Sequence, residues 1–355
     1  MPVSNWFAAR ARARPFRDEE LPWQRELLSI ELLKPRARAL AQRQKAVTDG
    51  RAPNLLLPRL AANEKILAEF NEHTLRADKL RNITPAAEWM LDNFHLIEEQ
   101  IRTARRHLPR AFSRQLLTLS EGTLRGFPLT YEMVVELICC VDARLDATHL
   151  GAFVGAYQEV RMLKLGELWA IPIMLRLALI ENLRRVAVQL VAARADRDLA
   201  DAWASRILET AEHDQKQTIV VLGEMAQSQP PASQAFLAEF WRRIQARAST
   251  ARLVVIWIEE RLAEEGMTVE RLVQSESQEQ AANQVSVGNT IGTLRLLDAM
   301  DWREFVESQS VVEQQLRLDP ARAYPGMDFA TRDLYRHAVE RVAQHGPMTE
   351  LEVAR

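Results

Sequence analysis

The stretch TPAAEWMLDNFHLIEEQIRTARRHL, Thr84 to Leu108, decides the fold class. Met90, Phe94, Ile97, Ile101, Ala104 and Leu108 recur at steps of four and three, which places them on one face of a helix. Thr84 supplies an N-cap, Pro85 the first helical position, and Glu88 an acid near the positive end of the helix dipole.

The same periodicity repeats along the chain. A long helix is expected from about Leu165 to Ala193, with Leu175, Leu179, Leu183, Val186 and Leu190 on one side and Pro172 as a kink or a true start. Further helices are expected at roughly 24–46, 59–80, 129–142, 147–160, 197–211, 214–227, 232–247, 250–265, 268–283, 288–299, 301–317 and 331–344. Turn signals fall at Gly122 to Pro128, Gln229-Pro230-Pro231, Glu265-Gly266 and Tyr324-Pro325-Gly326. No stretch sustains strand alternation, and no fixed-period repeat is present. The expected fold is all-α: an irregular multi-helix bundle with a loosely ordered N-terminal arm.

The expected organisation is a basic, Pro-interrupted arm (1–55), a first helical bundle (56–228), a second helical segment (229–346), and the start of a truncated helix (347–355). The arm carries Arg10, Arg12, Arg14 and Arg17 among Pro15, Pro22, Pro35 and Pro53. At the other end, Thr349 and Glu352 have the spacing of a capping box. Only one turn follows before Arg355, too little to hold a helix unaided, so the chain is expected to be cut from a longer polypeptide. Asp301 and Glu304 repeat the capping-box spacing.

With 47% apolar and 26% charged residues the chain is globular, and its formal charge of −2 argues against bulk attraction to nucleic acid. The apolar run LWAIPIMLRLALI, Leu168 to Ile180, is too short to span a membrane and holds Arg176, so it reads as a buried core helix in a soluble chain. The adjacent Cys139 and Cys140 form no ordinary disulfide and read as small apolar core residues.

No complete catalytic, cofactor or metal site emerges. Asp92/His95 and Asp146/His149 have the i,i+3 spacing of a helical metal pair, but Asp stands where such sites carry Glu. His95 reads as a structural histidine, and Asp146 as a helix start. Gly288 and Gly292 lack the lysine and strand of a phosphate loop and read as small residues for helix packing. Arg102, Arg105, Arg106 and Arg110, and Arg184 with Arg185, read as solvated helix faces.

Three collinear blocks resemble the N-terminal region of bacterial cyclic β-1,2-glucan synthases. They are LLPRLAANEKILAEFNEHTLRADKLRNITPAAEWMLDNFHLIEEQI (Leu56 to Ile101), LKLGELWAIPIMLRLALIENLRRVA (Leu163 to Ala187), and IGTLRLLDAMDWREFVESQSVVEQQLRLDP (Ile291 to Pro320) with MDFATRDLYRHAVERVA (Met327 to Ala343). The resemblance implies a parent at the bacterial inner membrane that builds cyclic glucan from UDP-glucose with a divalent metal, both bound downstream. Its transferase and membrane domains would be this segment's partners, and the segment itself would lie on the cytoplasmic face. Of the transferase motifs of that family, the acceptor-gripping one is missing, since Trp241-Arg242-Arg243 has the wrong order for it, and the one Asp-x-Asp, Asp196-Arg197-Asp198, stands without it. The segment is therefore expected to dock or regulate rather than catalyse. The rival readings are a free-standing helical adaptor for a protein or nucleic acid, and a metal-dependent enzyme built on the two Asp-x-x-His pairs.

Overall fold

The computed structural model describes residues 27–47, 55–76, 83–108, 116–213, 215–246, 252–264 and 266–355. The expected basic arm around Arg10 to Arg17, Pro15, Pro22, Pro53, Arg110 and Glu265 lies outside them. Among the described residues the chain is all-α, with fifteen helices and one two-residue antiparallel ladder. The helices are α1 (Ile30–Arg43), α2 (Leu56–Arg76), α3 (Pro85–Asp92), α4 (Phe94–His107), α5 (Leu129–Cys140), α6 (Ala147–Gln158), α7 (Leu165–His213) and α8 (Gln215–Gln227). They continue as α9 (Gln234–Gln245), α10 (Arg252–Glu264), α11 (Val269–Ala299), α12 (Trp302–Gln309), α13 (Val311–Leu316), α14 (Phe329–His345) and α15 (Glu350–Ala354). The ladder pairs β1 (Ala46–Val47) with β2 (Thr118–Leu119).

The periodic stretch from Thr84 to Leu108 is two helices rather than one. Asn93 leaves helical geometry at φ −106°, ψ 14°, and becomes the N-cap of α4. Met90, Ile97, Ile101, Ala104 and Leu108 are buried as expected, and Phe94 is half-buried. Two other expected breaks are absent. The helices foreseen at 165–193 and 197–211 form a single α7, because the Ala-rich junction (Ala192, Ala193, Ala195) favours continuing the helix. Likewise 268–283 and 288–299 merge into α11. Conversely, 301–317 splits at Ser310, whose hydroxyl caps α13 by accepting from the Glu313 N–H at 3.2 Å.

Two compact units share the described residues. The first contains Ile66–Asp92 and Arg184–Val287. Its core joins Ala204 and Ile207 of α7 to Phe236 and Phe240 of α9 and to Val254, Ile258 and Leu262 of α10. Phe236 stacks on Phe240 at 5.7 Å, and Phe240 meets the Trp257 ring edge-on at 6.3 Å. Arg184, expected on a solvated face, is instead buried at 2% exposure, whereas Arg185 is half-buried and bonds to Gln189. A single residue step around the helix separates the two environments here, and charge type alone does not show which one a residue takes.

The second unit contains Asp18–Lys65, Asn93–Leu183 and Gly288–Arg355. At its centre α5 has eleven of its twelve residues buried, among them the carboxylate Glu136. That carboxylate is held by Arg36 and Arg43 of α1. Within the segment 1–55, then, the described helix is packed: Leu33, Ala37, Leu40 and Ala41 are all buried. Buried polar groups elsewhere in this unit are matched in the same way. Glu181, fully buried, accepts from Arg59 Nε at 2.8 Å and from Asn63 Nδ2 at 2.5 Å. Arg176, the charge inside the most apolar run, donates to Gln100 at 2.9 Å and to Asp298 at 2.8 Å. That pairing offsets part of the penalty of burying a cation, and α7 runs on through Pro172 as a core helix.

The α5–α6 turn stores strain. Asp142 and Ala143 sit at φ 43° and 58°, a region that costs a non-glycine residue on the order of 1 kcal/mol. Side chains of α11 hold them there: Asn289 donates to the Asp142 carbonyl at 3.0 Å, and Thr293 to the Ala143 carbonyl at 2.6 Å. Gly288 and Gly292, on the same helix, are not packing glycines. A Cβ at either would meet nothing within 4 Å.

Candidate functional site

The C-terminal helices of the second unit are fixed by a buried ion network. Arg336 of α14 has no exposed surface and donates to Glu307 and Glu313 at 2.7 Å each and to Asp333 at 3.0 Å. The Tyr324 hydroxyl also donates to Glu313, at 2.6 Å. Burial pulls the Arg336 pKa down, but its three carboxylate partners outweigh it and hold the guanidinium charged. With its inner face so anchored, α14 turns Leu334 (69% exposed), Tyr335 (49%) and Val342 (52%) outward. Leu334, Ala338 and Val342 are four residues apart and Tyr335 lies beside them, so they form one apolar stripe.

Beside this helix lies a cleft of 450 Å³ between the start of α7, α14 and α15. Met162, Leu163, Pro347 and Met348 give it apolar walls, and Glu167, Glu340 and Glu350 converge on it from three different helices. Two of these acids serve the helix: Glu167 accepts from the Lys164 N–H at 2.9 Å, and Glu350 from the Leu165 N–H at 3.0 Å. They satisfy donors that α7 leaves free at its positive end. Burial pushes both carboxyls above their ordinary range. The bonds from these N–H groups and the Lys164 charge pull the other way, and the neighbouring acids add to the rise at Glu350.

The expected capping box of α15 is complete, with Glu352 N–H to Thr349 Oγ1 at 3.3 Å and Thr349 N–H to a Glu352 carboxylate oxygen at 2.7 Å. The helix is not the lone, unsupported turn that its length implied, because Glu350 fastens it to α7. Asp301 caps α12 as expected, accepting from Arg303 and Glu304 N–H at 2.9 and 3.1 Å.

Neither Asp-x-x-His pair makes a shared ligand face. Asp146 caps α6, accepting from His149 N–H at 2.8 Å while its second oxygen lies 2.8 Å from His149 Nδ1. Asp92 ends α3 and His95 belongs to α4, so the break at Asn93 destroys their helical spacing. Among the described residues no group of three or more His, Cys, Asp and Glu is placed to hold a metal ion. Cys139 and Cys140 are buried and not disulfide-bonded. Arg102, Arg105 and Arg106 are exposed, and Arg105 pairs with Glu64.

No family model matches the chain. A curated protein does: the cyclic β-(1,2)-glucan synthase NdvB of Rhizobium meliloti strain 1021, 33% identical over 327 residues, or 92% of this chain. The chain is homologous to a segment of that synthase. The match spans about 11% of NdvB's own length. The resemblance carried by the quoted blocks is thus confirmed over nearly the whole sequence. Among the described residues no helix is long and apolar enough to cross a membrane.

Proposed function

We propose that the chain is the N-terminal helical segment of a cyclic β-1,2-glucan synthase, lying on the cytoplasmic face of the inner membrane. It is non-catalytic by itself and packs on the UDP-glucose-dependent transferase module, orienting it. The observation that carries this reading is the 33% identity to NdvB across 92% of the chain. The match takes up about 11% of NdvB, which leaves most of that chain for the module that performs the chemistry. The outward stripe Leu334, Tyr335 and Val342 supplies an apolar surface for that module, on a helix held rigid by the Arg336 network.

The test is functional replacement. NdvB lacking its matched segment is compared with NdvB carrying this chain in its place, and label from UDP-glucose entering β-1,2-glucan is counted in membranes. Synthesis lost on deletion and restored by the chain supports the proposal. Synthesis unaffected by deletion overturns it.

A further inference from the structure

The first unit carries a second cleft, unrelated to α14 and α15. It has a volume of 380 Å³ and lies between the α8–α9 loop and α10. Trp257, Glu260, Arg261 and Glu264 of α10 line it at i, i+3, i+4 and i+7, the spacing of a single helical stripe. Gln229 and Pro231 form the opposite wall, and the buried Phe236 and Leu237 also line it.

Each part of this lining has a defined chemistry. The Trp257 indole is half-buried and braced edge-on by Phe240 at 6.3 Å, so one aromatic surface is fixed in orientation beside the cleft. Around it stand carboxylates that only accept, a guanidinium that only donates, and an amide that does both. Arg261 is already aligned by a 3.1 Å bond to Glu264, and both side chains are exposed. Gln229 is held at φ 47°, an unfavourable conformation for a residue with a side chain, in the loop that closes the cleft.

A rigid aromatic plane ringed by mixed donors and acceptors matches a neutral ligand with one C–H-rich face and a rim of hydroxyls. Each hydroxyl can donate to Glu260 or Glu264 and accept from Arg261. A pyranose ring has that form. A purely hydrophobic ligand would make no use of the charged rim, and an anion would face two carboxylates against one cation. We propose that the cleft at Trp257, Glu260, Arg261 and Glu264 is a saccharide-binding site whose ligand is a β-1,2-linked glucan chain. The saccharide class follows from the lining; the β-1,2 linkage rests on the functional reading above.

The experiment is isothermal titration of the purified 355-residue chain with a β-1,2-linked glucotriose, with maltotriose as comparator. Saturable binding is expected, with Kd raised about tenfold by Glu260→Ala and by Arg261→Ala, the loss of one hydrogen bond to a charged group. Both positions are exposed, so these variants keep the fold, which circular dichroism verifies. Trp257→Phe is expected to weaken binding and to abolish any ligand-induced change in fluorescence that Trp257 contributes. Absence of saturable binding, or binding unchanged in both the Glu260 and Arg261 variants, overturns the site. Equal affinity for maltotriose overturns the linkage assignment. Failure here is separable from failure of the docking role, because replacement in NdvB reads glucan synthesis and this titration reads binding to the chain alone.

Discussion

Replacing Arg336 by Met is the sharpest perturbation of the C-terminal helices. It deletes the only fully buried cation among the carboxylates Glu307, Glu313 and Asp333 and leaves an apolar side chain of similar length. Removing one partner from a buried ion pair costs about 3–5 kcal/mol. Two cations remain nearby: Arg317 stays 2.8 Å from Glu313, and Arg332 stays 2.9 Å from Glu307. The lower end therefore applies, about 3 kcal/mol, which raises the population of locally opened α14 on the order of a hundredfold. Amide hydrogen exchange reads this directly, as faster exchange across Phe329–His345. Helix α9, in the other unit, serves as the internal control and should be unchanged. Arg336→Lys keeps the charge but not the forked geometry and should fall between wild type and Met. Unaltered protection of α14 in Arg336→Met would refute the claim that this network anchors the outward face.

Other consequences are equally direct. The Glu350 carboxyl titrates above its ordinary 4.5 in the folded chain, so folding binds a proton there, and its contribution to stability falls as pH rises from about 4.5 through the raised value. Glu350→Gln keeps an oxygen for the Leu165 N–H, so it should match or exceed the wild-type Tm at pH 8 and lose that advantage at pH 4; a variant less stable at pH 8 would contradict this. Gly292→Ala fills open space inside α11 and should stabilise by about 0.5–1 kcal/mol in a denaturant titration. Gly126→Ala should destabilise, since its φ is 84° and a Cβ would lie 3.1 Å from Leu55 Cδ1. In the NdvB replacement, Leu334→Asp with Val342→Asp should lower glucan synthesis while leaving helical content intact, because both side chains already face outward; full activity would remove α14 as the docking face.

Much of the fold was legible because helix periodicity and capping are local. Thr349, Asp301 and Asp146 each cap the helix that their spacing announced. Helix breaks were less legible. Asn93 interrupts a perfect apolar stripe with no Pro or Gly to mark it, and Ala192 to Ala195 bridges a junction that looked like a boundary. Burial of charge was hidden as well: Arg184 and Arg336 are spelled like any surface arginine, and only the tertiary arrangement brings Glu307 and Glu313 to the latter. The clefts are the least legible. Glu167 lies more than 170 residues from Glu340 and Glu350 in sequence, and nothing local links it to them. The stripe from Trp257 to Glu264 did carry a helical spacing, but it gained meaning only when the loop at Gln229 to Pro231 was found opposite it.

In the function proposed above, this segment supports a glucosyltransferase without performing the chemistry. One measurement addresses both halves: incorporation of labelled glucose from UDP-glucose into β-1,2-glucan by three preparations assayed side by side. These are the isolated 355-residue chain, NdvB lacking the matched segment, and NdvB with this chain substituted. No incorporation is expected from the first, strongly reduced incorporation from the second, and recovery in the third. Glucan made by the isolated chain, or undiminished synthesis by the deleted NdvB, would contradict the proposal.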